Sequence, residues 1–192
     1  EQVIAASYNS DLAREFGRDV RNTVASYEYG LLFKTRLSED NAAANRWSTQ
    51  DGGCYFSAGV GTGITGRGAD VFLIDDPVKD RQDADSELVR KNTWNWYTSV
   101  AYTRLMPGAA VVVIQTRWNE DDLAGHLISD MGKGGEQWEV LSLPAINERG
   151  RALWPAWYPL SRLEQIRGVL PARDWSALYQ QSPAPDEGSY FK

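Results

Sequence analysis

The chain has 192 residues, enough for one sizeable domain with its own core, and its 42% hydrophobic and 11% aromatic content argues for a globular protein and against disorder. A formal net charge of -6 excludes a broad grip on nucleic acid, which rests on Lys and Arg releasing counterions from phosphates; any DNA contact by these residues has to be local. The single cysteine, Cys54, excludes an internal disulfide, and the single histidine, His126, excludes most histidine-based zinc sites and weakens any His-dependent triad.

No run of about 18 apolar residues is present, so neither a membrane span nor a signal peptide is expected. The chain opens without Met directly on an apolar strand, Val3 to Ser7, as if a preceding segment had been cut off. Asn9-Ser10-Asp11 is a good helix start, and Leu12, Phe16, Val20 and Val24 then recur every fourth residue, which predicts one apolar stripe facing a core. From Leu31 to Asp51 the pattern is polar and aperiodic, predicting irregular chain with one helical turn. Gly53 to Ala58 reads as a strand.

Gly59 to Gly68 carries five glycines at odd spacing. Gly61, Gly63 and Gly66 match G-x-G-x-x-G in form only, because the segment leads into a strand and not into a helix. It is either a flexible hairpin-like connection or a mobile loop that presents Arg67, with Thr62 or Thr65, to a phosphate.

Val71-Phe72-Leu73-Ile74-Asp75-Asp76-Pro77 is the centre of the reading. Four apolar residues followed by two carboxylates and a proline predict a strand buried on both faces, of the kind found in parallel sheets, that stops in a charged turn. Ligands of open α/β sheets bind at such carboxyl ends, and a carboxylate pair there can hold a hydrated Mg²⁺ and orient a water. The bland alternative is that Asp75 and Asp76 cap a helix or close a turn.

Lys79 to Asp85 reads as a charged linker, and Ser86 starts a helix to about Tyr102 in which Val89, Thr93, Trp96, Tyr97 and Val100 share one side as packing residues. Ala110 to Ile114 predicts a second doubly buried strand, ending in Gln115-Thr116-Arg117-Trp118. Parallel strands joined by right-handed crossovers would align Asp75, Asp76, Gln115, Thr116 and Arg117 along one rim. Asn119 with Asp122 resembles a capping box for a helix carrying Leu123, Leu127 and Ile128. Glu139 to Leu143 is expected as a last strand, and Met131 to Gly135 as a surface turn. Beyond Pro144 an aromatic, proline-punctuated segment, Trp154 to Pro159, precedes a helix capped by Ser161 and Glu164, a short helix from Asp174 to Gln181, and a linker from Ser182.

Together, Thr65 to Asp70 leading into VFLIDDP, Lys79-Asp80, Ala84 to Ser86, Trp96-Tyr97, Thr103-Arg104-Leu105, VVVIQTRW and Glu120 to Leu123 resemble the ATPase domain of phage and prophage terminase large subunits, and Leu178-Tyr179-Gln180-Gln181 with Pro183 and Gly188 to Lys192 resembles that family's linker into its nuclease domain. These are the motors that package DNA into procapsids. The resemblance implies an α/β fold, a three-layer P-loop NTPase of the RecA/ASCE type with a mostly parallel sheet, N-terminally truncated and followed by a small helical and extended subregion. It implies a truncated ATPase domain over 1–143, an aromatic and helical subdomain over 144–181, and over 182–192 a linker towards a nuclease domain outside these residues.

In that family Asp75 matches the Walker B aspartate that holds Mg²⁺ through water, and Asp76 the carboxylate that activates the attacking water, where many members have Glu. Gln115, Thr116 and Arg117 match the segment that couples ATP hydrolysis to DNA movement, and Arg67 lies where a charge-stabilising arginine is conceivable. The implied cofactors are Mg²⁺ and ATP. The implied partners are double-stranded DNA, the portal protein and the small terminase subunit, with a homo-oligomeric ring in the host cytoplasm and no membrane. No Walker A lysine occurs in these residues, so half a site and no hydrolysis by this chain alone are expected. A metal-dependent nuclease built on Asp75 and Asp76, or a non-catalytic assembly module from a truncated prophage gene, are the alternatives.

Overall fold

The computed structural model describes residues 1–184. Its elements in order are β1 (Gln2–Ser7), α1 (Ser10–Ala25), α2 (Tyr27–Leu32), β2 (Leu37–Ala43), β3 (Arg46–Thr49), β4 (Cys54–Gly59), β5 (Ala69–Asp75), α3 (Arg81–Asp85) and α4 (Glu87–Trp96). A π turn over Tyr97–Ala101 and a 3₁₀ turn over Tyr102–Arg104 prolong α4. Then follow β6 (Leu105–Ile114), α5 (Leu123–Gly132), α6 (Leu160–Val169) and α7 (Ala172–Asp174), the last prolonged by a π turn over Trp175–Tyr179. No helix among the described residues is long and apolar enough to cross a membrane.

The chain divides into two compact units, 1–79 with 91–115, and 80–90 with 116–192. The expected linker over 182–192 lies, from residue 185 on, outside the described residues.

The first unit is built on one mixed sheet of order β2-β3-β4-β1-β5-β6. β4, β1, β5 and β6 run parallel, and β2 and β3 add an antiparallel hairpin at one edge. Parallel partners present their side chains on the same face. Tyr55 and Ser57 of β4 therefore share a face with Ser7 and Asp75, while Phe56, Ile4, Phe72 and Ile74 occupy the other. Helices cover both faces, which makes this unit three-layered. On the first face α1 approaches so closely that a Cβ on Gly17 would stand 2.4 Å from the Ala44 carbonyl oxygen. On the second, Phe72 meets Trp96 edge to face with centroids 6.2 Å apart.

Four expectations are corrected here. The packed face of α1 runs through Ala13 and Gly17, and Phe16 and Val20 are exposed, because close helix-sheet approach selects small side chains over the apolar stripe. The region Leu31 to Asp51 holds the end of α2 and the β2–β3 hairpin; its strands are polar because β2 is an edge with few buried positions, and Asn41 binds the Ser48 hydroxyl across them at 2.8 Å. β6 is not doubly buried: as the other edge it leaves Val112 and Ile114 exposed. Glu139 to Leu143 forms no strand, since an apolar run specifies burial without specifying a pairing partner. β5 itself is buried completely on one face, at Phe72 and Ile74, and only half covered at Val71 and Leu73.

The second unit is smaller, and its regular elements are helices. Its apolar centre includes Leu123 and Leu127 of α5, Leu163 of α6, and Trp175 and Ala177 near the end. Ile146 and Ala152 form an isolated antiparallel bridge, and the Gln180 side chain both accepts from the Ile146 amide and donates to its carbonyl. Lys79 to Asp85 is not only a linker: Asp80 caps the short helix α3, whose Arg81 donates to the Trp118 carbonyl and pairs with Asp174. Helix α6 starts two residues earlier than a Ser161 cap requires, with Pro159 in the capping position and no side-chain cap bond.

Candidate functional site

The carboxyl ends of β1, β5 and β6 form one rim. Chain direction places the site between β1 and β5: the connection from β1 leads to β4 on one side of it, whereas β5 lies on the other. Strand order thus reverses about β1, and such switch points open the crevice in which α/β sheets bind ligands.

Across this rim Gly59, Ser7, Asp75 and Ile114 are successive register partners. The side chains of Ser7, Asp75 and Ile114 rise from the face that carries α1. Beyond this row Asp76 is held by main-chain bonds to both neighbouring strands: its N–H donates to the Ile114 carbonyl at 2.9 Å, and its carbonyl accepts from the Tyr8 N–H at 3.1 Å. The φ of Asp76 is 40°, in the left-handed region that side chains other than Gly, Asn and Asp rarely adopt. An aspartate is among the few residues that tolerate this turn, so the strand can end sharply and still carry a second carboxylate.

Electrostatics set the two acids against each other. Burial pushes the Asp75 carboxyl above the usual carboxylate range, and the neighbouring Asp76 charge pushes it the same way. A group in this position gains most from a cation, which would offset both effects. Two further oxygens at these strand ends have no hydrogen-bond partner among the described residues. Ser7 is 1% exposed and its Oγ is buried with no hydrogen bond, and the buried Oε1 of Gln115, immediately after β6, is likewise unsatisfied.

The donor set is therefore all oxygen: two carboxylates, a hydroxyl and an amide. Hard divalent cations prefer such ligands, and Mg²⁺ in particular is held by one or two carboxylates while keeping several waters. Among the described residues no cluster of three or more His, Cys, Asp or Glu is arranged to enclose a metal. The arrangement fits a hydrated Mg²⁺ better than an all-protein cage.

The other expected residues are placed as follows. Arg67 stacks its guanidinium over Phe56 at 4.3 Å, on the sheet face opposite Asp75, so the structure does not bring it to the carboxylates. The glycine loop that carries it is anchored by Ile64, 1% exposed, and by the Thr62 hydroxyl donating to the Gly59 carbonyl at 2.6 Å. Gln115 belongs to the rim. Thr116 and Arg117 follow it in sequence but are counted with the second unit, where the Arg117 Nε lies 3.0 and 2.8 Å from the two oxygens of Asp122. Asp122, not Asn119, caps α5: its Oδ1 accepts from the Gly125 N–H at 2.8 Å, and Asn119 instead turns the chain by accepting from the Asp121 N–H.

Sequence reading missed Ser7, whose only signal was a polar residue closing an apolar strand. A comparison with curated proteins finds no match. The sequence profile of the family described as terminase large subunit, T4likevirus-type, N-terminal, matches residues 1–192, and the chain belongs to that family.

Proposed function

We propose that this chain is the ATPase part of a DNA-packaging terminase large subunit, in which the rim of β1, β5 and β6 takes the Mg²⁺ side of an ATP site. The observation that carries this reading is that Asp75 and Asp76 end β5 between the ends of β1 and β6, where the Ser7 and Gln115 oxygens are buried and unsatisfied, in a chain of the terminase family. Asp75 holds the hydrated ion. Asp76 orients and deprotonates the attacking water, and Gln115 leads into Thr116 and Arg117, the segment that passes the state of the nucleotide on to DNA movement. When bound, Mg²⁺ neutralises charge on the phosphates.

The residues in hand contain no G-x-x-x-x-G-K-[ST] segment, and phosphate cradling in P-loop enzymes depends on it. By itself this chain hydrolyses no ATP. Its partners in the assembled motor are double-stranded DNA, the portal protein and the small subunit, in a ring of like subunits in the host cytoplasm. The nuclease alternative is disfavoured because two-metal chemistry needs further acids near Asp75, and among the described residues there is no such cluster.

Two measurements test the reading. ATP hydrolysis by a large subunit that contains this sequence should fall by two orders of magnitude or more, roughly, in Asp75→Asn, as expected for loss of a metal-side group. Calorimetry on the present chain should show no ATP binding in the micromolar range, and tight binding would overturn the half-site.

A further inference from the structure

A buried hydroxyl with no partner is unusual, because leaving it unsatisfied carries a desolvation cost that an alanine would not incur. Ser7 is such a case at the carboxyl end of β1. Its main chain is fully used: Ser7 pairs in register with Gly59 and Asp75, and its carbonyl accepts from the Val60 N–H at 2.8 Å. The side chain is 1% exposed and its Oγ has no hydrogen bond among the described residues. It stands on the same sheet face as Asp75, one strand away, in the crevice where strand order reverses. Gly59, on its other side, leaves room for nothing larger, since a Cβ there would lie 2.8 Å from the Ser10 amide nitrogen. On the β5 side its register partner is Asp75.

We infer that Ser7 is a positioning residue of the cation site: its Oγ hydrogen-bonds a water in the hydration shell of a divalent ion held by Asp75, fixing that shell on the side of β1. This rests on the reading of Asp75 as the metal-side residue. Mg²⁺ and Mn²⁺ keep most of their waters when bound by few carboxylates, so an oriented water acceptor or donor next to the ion is where a protein gains affinity and geometry. A cost to stability at Ser7 is then the counterpart of a gain in ligand binding.

The probe is Mn²⁺ alone, counted by electron paramagnetic resonance of the free ion, with wild type, Asp75→Asn and Ser7→Ala compared and the melting temperature of each metal-free protein recorded. The expected result is Mn²⁺ binding by wild type, its loss in Asp75→Asn, and about tenfold weaker binding in Ser7→Ala, in line with outer-shell partners of metal ligands. The metal-free melting temperature of Ser7→Ala should be equal to or above that of wild type. Unchanged Mn²⁺ affinity in Ser7→Ala with loss in Asp75→Asn overturns the role of Ser7 and leaves the site standing. A lowered metal-free melting temperature with unchanged affinity does the same by exposing a purely structural hydroxyl. Equal binding by Asp75→Asn and wild type, or none by wild type, overturns the cation site and the role of Ser7 with it.

Discussion

The N–H of Asp76 donates to the carbonyl of Ile114 at 2.9 Å while Asp76 itself sits at a φ of 40°, so the last ladder bond between β5 and β6 is made by a residue in a left-handed conformation. This ties the turn's geometry to the identity of the side chain. Asp76→Val should destabilise the fold by about 1–2 kcal/mol, the cost of a β-branched residue in that region, whereas Asp76→Asn and Asp76→Gly should each be close to neutral. Urea unfolding midpoints check the order. A value for Asp76→Val equal to that of Asp76→Asn would mean that the backbone there relaxes freely.

The pH dependence follows from two raised acids. Asp75 has a folded-state pKa above its unfolded value, so its contribution is greatest at low pH, where it is protonated in both states, and is lost as pH rises through the folded value. Asp75→Asn should therefore raise stability at neutral pH and flatten the fall between acid and neutral conditions. Tyr55, stacked on Trp47 at 5.1 Å, has its phenol pushed up to about 12 by burial. Its share of stability is intact below pH 10 or so and is lost between there and about 12. Thermal melts across pH read both limbs, and a Tyr55→Phe protein should lack the alkaline one.

The close approach of α1 to the sheet is the third test. Gly17 lies in mid-helix, where alanine ordinarily gains about 1 kcal/mol. Here the added Cβ would stand 2.4 Å from the Ala44 carbonyl oxygen and 3.1 Å from Tyr55 Cε1, and the Trp47 indole donates to the Gly17 carbonyl at 3.0 Å. Gly17→Ala should therefore destabilise, by roughly 1–3 kcal/mol, reversing the sign of the helix propensity. Denaturant titration gives that sign directly.

The strands β1, β4 and β5, the acidic end of β5 and the polar end of β6 were legible because each is a short apolar run with a sharp polar stop, and that pattern is local. The face of α1 was not, since burial there is decided by how near the sheet comes, and small residues at Ala13 and Gly17 carry no hydrophobic signal. The β2–β3 hairpin was hidden for the opposite reason: an edge hairpin of Ser, Glu, Asp and Asn is held by pairing to β4 and by Asn41–Ser48, which periodicity does not record. At the rim, Asp75, Asp76 and Gln115 were visible as residue types at strand ends. Ser7 was not, because its meaning lies in an unsatisfied bond and in register with Asp75, both properties of the folded chain. Arg67 looked available in the sequence and is stacked on Phe56 in the structure, a contact between a loop and a strand face that only the parallel register defines.

Arg117 poses the last question, since the proposed function assigns it to a coupling segment and yet it is engaged locally. Its Nε lies within 3.0 Å of both oxygens of Asp122, which is 4% exposed and also caps α5 through the Gly125 amide. Asp122→Ala removes the cap and leaves a largely buried guanidinium without its partner, so it should cost roughly 2–4 kcal/mol, more than a cap alone. Asp122→Asn keeps an oxygen for the Gly125 amide and loses the charge, and should fall between. Arg117→Lys preserves charge but not the guanidinium's planar fork, so its stability loss should be small, about 1 kcal/mol, because part of the ion pair survives. In a large subunit containing this sequence, a coupling role for Arg117 requires that Arg117→Lys uncouple DNA translocation from ATP hydrolysis while the fold persists. If translocation per ATP consumed is unchanged in Arg117→Lys, and Asp122→Ala and Arg117→Ala lose stability alike, the arginine serves to anchor the start of α5 and the coupling assignment passes to Gln115 and Thr116.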